Sequence, residues 1–105
     1  MTSPKLDTLR TMVTKHPGNA LARFGLANEL LKAEMYAEAA EQLRAYLQIH
    51  DDEGNGHGRL AEALAKLGDV DGARAALLTG IEAANRFGHA GLANELEARL
   101  GDLDE

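Results

Sequence analysis

The stretch with the most chemical promise runs from Asp51 to Glu62. Asp51-x-Glu53-x-Asn55-Gly56-x5-Glu62 sets side-chain oxygens at alternate positions, a glycine at the turn and a closing carboxylate, which is nearly the ligand spacing of a calcium loop. Three features oppose that chemistry. Glu53 is long for a position usually filled by Asp or Asn. Gly58 stands where an apolar residue would join paired loops, and Arg59 brings positive charge into the ligand arc. A zinc site is weakly motivated, because His16, His50, His57 and His89 have no spacing of three or four among them, although His50 and His57 flank one loop. There is no cysteine, which removes thiolate chemistry and disulfides. Ser3 is the sole serine and reads as a helix cap. No nucleophile–base arrangement, phosphate loop or compact carboxylate pair emerges. The expectation is a protein without catalytic residues, cofactor or metal, in which Asp51-Asp52-Glu53 is simply a hydrated loop.

The elements that must position these residues are helices. The chain has 105 residues, 45% hydrophobic but only 4% aromatic, and its apolar mass is Ala and Leu, strong helix formers. The only prolines are Pro4 and Pro17, and β-branched residues are too scattered for strands. An all-α single domain is expected. Periodicity and caps place helices at about Ser3–Lys15, Asn19–Lys32, Tyr36–His50, Asn55–Leu67, Val70–Phe87 and His89–Leu100. Gly101 is expected to end the last, leaving residues 101–105 as an acidic tail.

Charge bounds the partner. The net charge is −6, and residues 1–32 carry five basic and two acidic side chains while the rest carries six and fifteen. An acidic body argues against nucleic acid. Residues 1–17 lack the apolar stretch of a signal peptide, and no stretch is long enough to span a membrane. The expectation is a cytoplasmic protein with neither nucleic-acid nor membrane partner.

The organising signal is a period of 34 residues. It sets Leu26-Ala27 on Leu60-Ala61, Leu30 on Leu64, Ala39 on Ala73 and Leu43 on Leu77. Such a period marks stacked helical repeats. These positions resemble the tetratricopeptide repeat, whose pattern is Trp-x2-Leu-Gly-x2-Tyr, then Ala-x3-Phe, then Pro. Departures are Arg23 and His57 for Trp, Asp51 and Asn85 for Pro, and Tyr46 where Ala is usual, with Gly80 as its equivalent. Tyr46 should either splay the packing or take space vacated by a small neighbour.

The resemblance implies a short right-handed superhelix of antiparallel helix pairs, about six helices in all. Residues 3–17 would be an N-terminal half-repeat, 20–53 and 54–87 two repeats, and 88–100 a capping helix. It also implies a scaffold or adaptor whose first helices line a concave groove for a protein or peptide, with a homodimer as one option. Carried over by position, the groove would comprise Leu21, Phe24, Asn28, Lys32, Asn55, Arg59, Glu62, Lys66 and Asn94, with Ala90, Gly91 and Glu97 beside them. Phe24 would anchor apolar groups, Asn28 bond a backbone and Arg59 meet a carboxylate. The alternative is a small regulatory metal binder using residues 51–62. It would destroy the helix that keeps Leu60, Ala61 and Leu64 in phase. Glu34-Met35 has neither glycine nor a good cap, so packing of Met35 and Tyr36 is expected to hold the first bend, and backbone chemistry at Gly68-Asp69 the second.

Overall fold

The computed structural model describes residues 3–104, so Glu105, the last residue of the expected tail, lies outside the described part. Its helices are α1 (Pro4–Lys15), α2 (Ala20–Lys32), α3 (Tyr36–Ile49), α4 (Asn55–Lys66), α5 (Val70–Arg86) and α6 (Ala90–Leu103). No strand occurs among the described residues. Three helices start on side-chain caps: Ser3 accepts from Leu6 N–H, Asn19 from Ala22 N–H and Asp69 from Gly72 N–H.

The bends after α2, α4 and α5 share one backbone device. After α4, Gly68 takes φ +84° while the N–H groups of Gly68 and Asp69 bond the carbonyls of Ala65 and Leu64. After α5, Gly88 and His89 do the same with Asn85 and Ala84. The first bend corrects the sequence reading. Met35 and Tyr36 do pack against the core, but the backbone makes the same paired bonds, from Glu34 and Met35 to Leu31 and Leu30. Glu34 supplies the left-handed residue, at φ 60°, without being glycine. Replacing it should relieve strain. Glu34→Gly is expected to stabilise the fold by up to about 1 kcal/mol in urea unfolding; a loss of stability would mean the bend is not strained.

The last helix also departs from expectation. α6 runs through Gly101 to Leu103. A mid-helix glycine costs about 1 kcal/mol. Leu103 packs against the core, and Asp104 Oδ1 accepts from Arg74 Nη2 at 2.6 Å. Contacts on both sides of the last turn thus offset the glycine.

Each helix packs chiefly on its chain neighbours, giving a slab of 37 × 28 × 18 Å. Ala27, Ala39, Ala61 and Ala73 are almost fully buried and let the helices approach, while Leu26, Leu30, Leu43, Leu77 and Leu96 fill the interior. Ile49 and Leu67 are about half exposed at helix ends. The half-repeat helix α1 is pinned by polar contacts as well. Arg10 donates twice to Glu38 on α3, at 2.7 and 2.8 Å, and Lys5 reaches Glu29 on α2 at 2.9 Å. The Arg10 hydrogen bond holds the Glu38 carboxyl below the usual carboxylate range.

Candidate functional site

The 51–62 stretch does not assemble its oxygens. Asp51 turns to Arg86 on α5 at 2.8 Å, and Glu53 meets His89 Nε2 at 2.9 Å. Asn55 opens α4, and Glu62 lies about two turns further along it. Among the described residues no group of three His, Cys, Asp or Glu side chains is placed to hold a metal ion.

Nor is the stretch a hydrated loop, because Asp52 is 6% exposed. Its Oδ2 accepts from Tyr46 Oη at 2.6 Å, and its Oδ1 from Gly54 N–H at 2.8 Å and Gly56 N–H at 2.7 Å. Asp52 therefore caps α4 from two residues before Gly54, whose own position lacks a side-chain cap. Tyr46 takes space vacated by a small neighbour: a Cβ on Gly56 would lie 2.7 Å from its ring. His50 tilts against the same ring with centroids 5.3 Å apart. His57, half-buried, has its pKa pushed below the ordinary value by burial.

Along α2, α4 and α6 lie three recesses that share side chains. One of about 320 Å³ is lined by Asn28, Leu31, Lys32, Arg59 and Glu62. A narrower one, about 120 Å³, lies between α4 and α6 and adds Asn55, Glu95 and Arg99. The third, about 310 Å³, lies over the start of α5 and includes Glu62, Lys66, Leu77, Arg99 and Leu103. Glu62 belongs to all three, so they form one trough. Arg59 and Glu62 face each other at 3.9 Å, a loose pair on one helix face.

Six of the nine expected groove residues line this trough: Asn28, Lys32, Asn55, Arg59, Glu62 and Lys66. Three do not. Leu21 is 82% exposed on the first turn of α2. The Phe24 ring packs on Tyr46, centroids 4.9 Å apart, and is half-buried against the core. Asn94 is exposed. Asn28 is half-buried at the matching position because α4 packs beside α2, whereas no helix flanks α6 on that side among the described residues. Ala90 and Gly91 line a hollow of about 460 Å³ with Glu53 and His89, which adjoins the narrow recess through Asn55 and Leu92.

Glu95 and Arg99 also line the trough and were not among the residues expected there. They lie on the α6 stripe that faces α4 with Leu92 and Leu96. Arg99 Nη2 donates to the Gly58 carbonyl at 2.9 Å, and a Cβ on Gly58 would meet Arg99 and Leu96 at 3.0 Å. The signal was available: Arg99 is seven residues after Leu92, on the same face of a helix.

Helix pairs stacked in register, with an open trough along alternate helices, define a helical-repeat scaffold. The chain belongs to the tetratricopeptide-repeat family, whose model, described as Tetratricopeptide repeat, matches residues 1–78. It is 32% identical over 99 residues, 94% of each chain, to the TPR repeat-containing protein PA0015 of Pseudomonas aeruginosa. Among solved structures it is similar to protein BPP2914 from Bordetella parapertussis, at 29% identity and TM-score 0.81, covering 99% of this chain and 90% of that one. It shares the fold of PcrH, solved in complex with the chaperone binding region of PopD, at 20% identity and TM-score 0.87, covering 94% of this chain and 75% of that one. The family is one of protein-interaction modules. No helix among the described residues is long and apolar enough to cross a membrane.

Proposed function

We propose that this protein is a non-enzymatic scaffold or adaptor whose trough across α2, α4 and α6 holds a segment of another protein. In this reading residues 3–17 are a half-repeat, 20–53 and 54–87 two repeats, and α6 the closing helix. The observation that carries it is the continuity of the trough through Glu62, with Arg59 and Arg99 at its joints. An extended segment needs such a path, with aliphatic walls, as at Leu31, and charged donors along it. Asn28 adds a polar handle. Its Oδ1 is buried without a hydrogen-bond partner, and a flip of the carboxamide would turn that acceptor toward a bound N–H. The complex of PcrH, a protein of the same fold, with a region of PopD supports the reading.

Peptide display on the purified protein tests it. Peptides selected from a random library are expected to bind Arg59→Ala about tenfold more weakly than wild type. Glu82→Ala, on the exposed face of α5, should leave binding unchanged. Peptides indifferent to Arg59→Ala would place recognition outside the trough. Phe24→Ala is a poor probe, because the Phe24 ring supports Tyr46.

A further inference from the structure

The two end helices are unpaired halves of one repeat. α6 packs on α5 as α4 packs on α3, but α4 has α5 on its other side, and no helix follows α6 among the described residues. α1 has the converse fault. It packs chiefly on α2, whereas α5 is held between α4 and α6. Two periods of 34 residues carry Lys5, Thr8, Met12, Lys15 and His16 onto Ala73, Ala76, Gly80, Ala83 and Ala84. The α5 residues are all buried, and their counterparts at α1 are all exposed. Thr8, Met12, Lys15 and His16, with Asp7 and Thr11, line an open recess of about 370 Å³.

The complete repeats show what this face meets. The ring of Tyr46, one period after Met12, lies 4.9 Å from that of Phe24 on α2. A Cβ on Gly80, one period further, would meet His57 Cβ on α4 at 2.9 Å. Ala73, the counterpart of Lys5, shares a recess with Ala65 on α4. α6 carries the matching positions at the other end of the molecule. Its Leu92-Ala93-Asn94-Glu95-Leu96 repeats Leu26-Ala27-Asn28-Glu29-Leu30, which sets Ala90 at the place of Phe24 and Glu97 at that of Leu31 and Ala65. Ala90 and Glu97 are both exposed, and Glu97 makes no ion pair among the described residues. The two helices are opposite in charge: α1 carries three basic side chains and one acidic, α6 three acidic and one basic.

We infer that copies of this chain stack head to tail, α1 of one docking on α6 of another so that the two helices complete a repeat. Met12 then covers Ala90 as Tyr46 covers Phe24. Lys5, whose side chain is 69% exposed beside Glu29, faces Glu97. A second copy is the occupant because each end lacks what the other supplies, with a large residue set against a small one and a base against an acid. The contact is heterologous, so a bound copy still offers a free end and growth does not stop at two. The stack also runs the trough from α6 of one copy onto α2 of the next, whatever the trough holds.

Sedimentation velocity across a concentration series tests this. The mass of the wild type is expected to climb past that of a dimer as the protein approaches about 1 mM, and to fall as salt is raised. Met12→Arg blocks the α1 face and Ala90→Arg the α6 face, both at exposed positions. Each variant alone should stay monomeric with its helicity intact. Mixed one to one, they should form a heterodimer and nothing larger, because each keeps one whole face. Glu97→Lys should weaken wild-type association several-fold. A monomer at every concentration, a plateau at the dimer, a mixture of the two variants that stays monomeric, or association indifferent to both substitutions overturns the inference.

Discussion

Asp52→Ala is expected to cost about 3–5 kcal/mol, a large part of the stability of a domain this size. The carboxylate sits where three donors converge: the Tyr46 hydroxyl and the N–H groups of Gly54 and Gly56. Its removal leaves all three without a partner in a region closed to water. It also removes the negative charge at the start of α4, where the helix dipole favours one. The damage reaches the trough, since α4 carries Arg59 and Glu62 there and Leu60, Ala61 and Leu64 in the core. Urea unfolding followed by circular dichroism reads the loss, and the melting temperature should fall by more than about 10 °C. Asp52→Asn keeps an oxygen for the two glycine N–H groups and should cost only about 1–2 kcal/mol. Equal losses in the two variants would show that burial of volume, rather than the carboxylate, holds the junction.

Tyr46 gives the same cluster a pH signature. Burial, then the hydrogen bond and charge of Asp52, push the phenol pKa up. The folded state therefore holds its proton more tightly than the unfolded chain, whose tyrosine titrates near 10. The stabilisation is complete below about pH 10 and is lost as pH rises above it. That alkaline loss should shrink in Tyr46→Phe.

The sequence made most of this architecture legible because helix signals are local. Caps at Ser3, Asn19 and Asp69, and the stops at Gly68 and Gly88, act within a few residues of themselves. The leucine and alanine period then fixed which faces meet. Signals failed where tertiary contacts override local preference. Glu34 bends the chain without glycine because Met35 and Tyr36 are anchored on the core beyond it. Gly101 does not stop α6 because Leu103 and the Arg74–Asp104 pair hold the turn after it. Asp52 looked like one more solvated acid, since its value depends on Tyr46 and on Gly56 leaving space for that ring. The groove was partly legible for a related reason. Carrying positions over from the repeat placed Asn28, Arg59 and Glu62, which line the trough, and Asn94, which does not, and it did not include Arg99, which does. The apolar stripe of α6, rather than its similarity to α2, determines what faces α4.

Gly54→Ala is the second substitution with a large expected effect, again about 3–5 kcal/mol, for a different reason. Gly54 adopts φ 127° and ψ −29°, a conformation that strains any residue with a Cβ by about 1–3 kcal/mol. The added Cβ would also meet the Gly80 carbonyl oxygen and Leu92 Cδ2 at 3.0 Å and the Ala84 Cβ at 3.3 Å. A backbone oxygen and a helix-borne methyl cannot swing aside, so overpacking adds a similar amount. Gly68→Ala separates the two contributions. Gly68 also has positive φ, +84°, but nothing lies within 4 Å of its virtual Cβ, so only backbone strain of about 1–2 kcal/mol applies. The gap between the variants in urea unfolding measures how tightly the entry to α4 is seated on α5 and α6. A small gap would mean that the seat yields. In that case α4 could shift against α6, and the spacing of Arg59 and Arg99 would not be fixed by the fold. A large gap would mean that the close contacts of residue 54 with Gly80 on α5 and Leu92 on α6 fix the seat of α4 on which the trough depends.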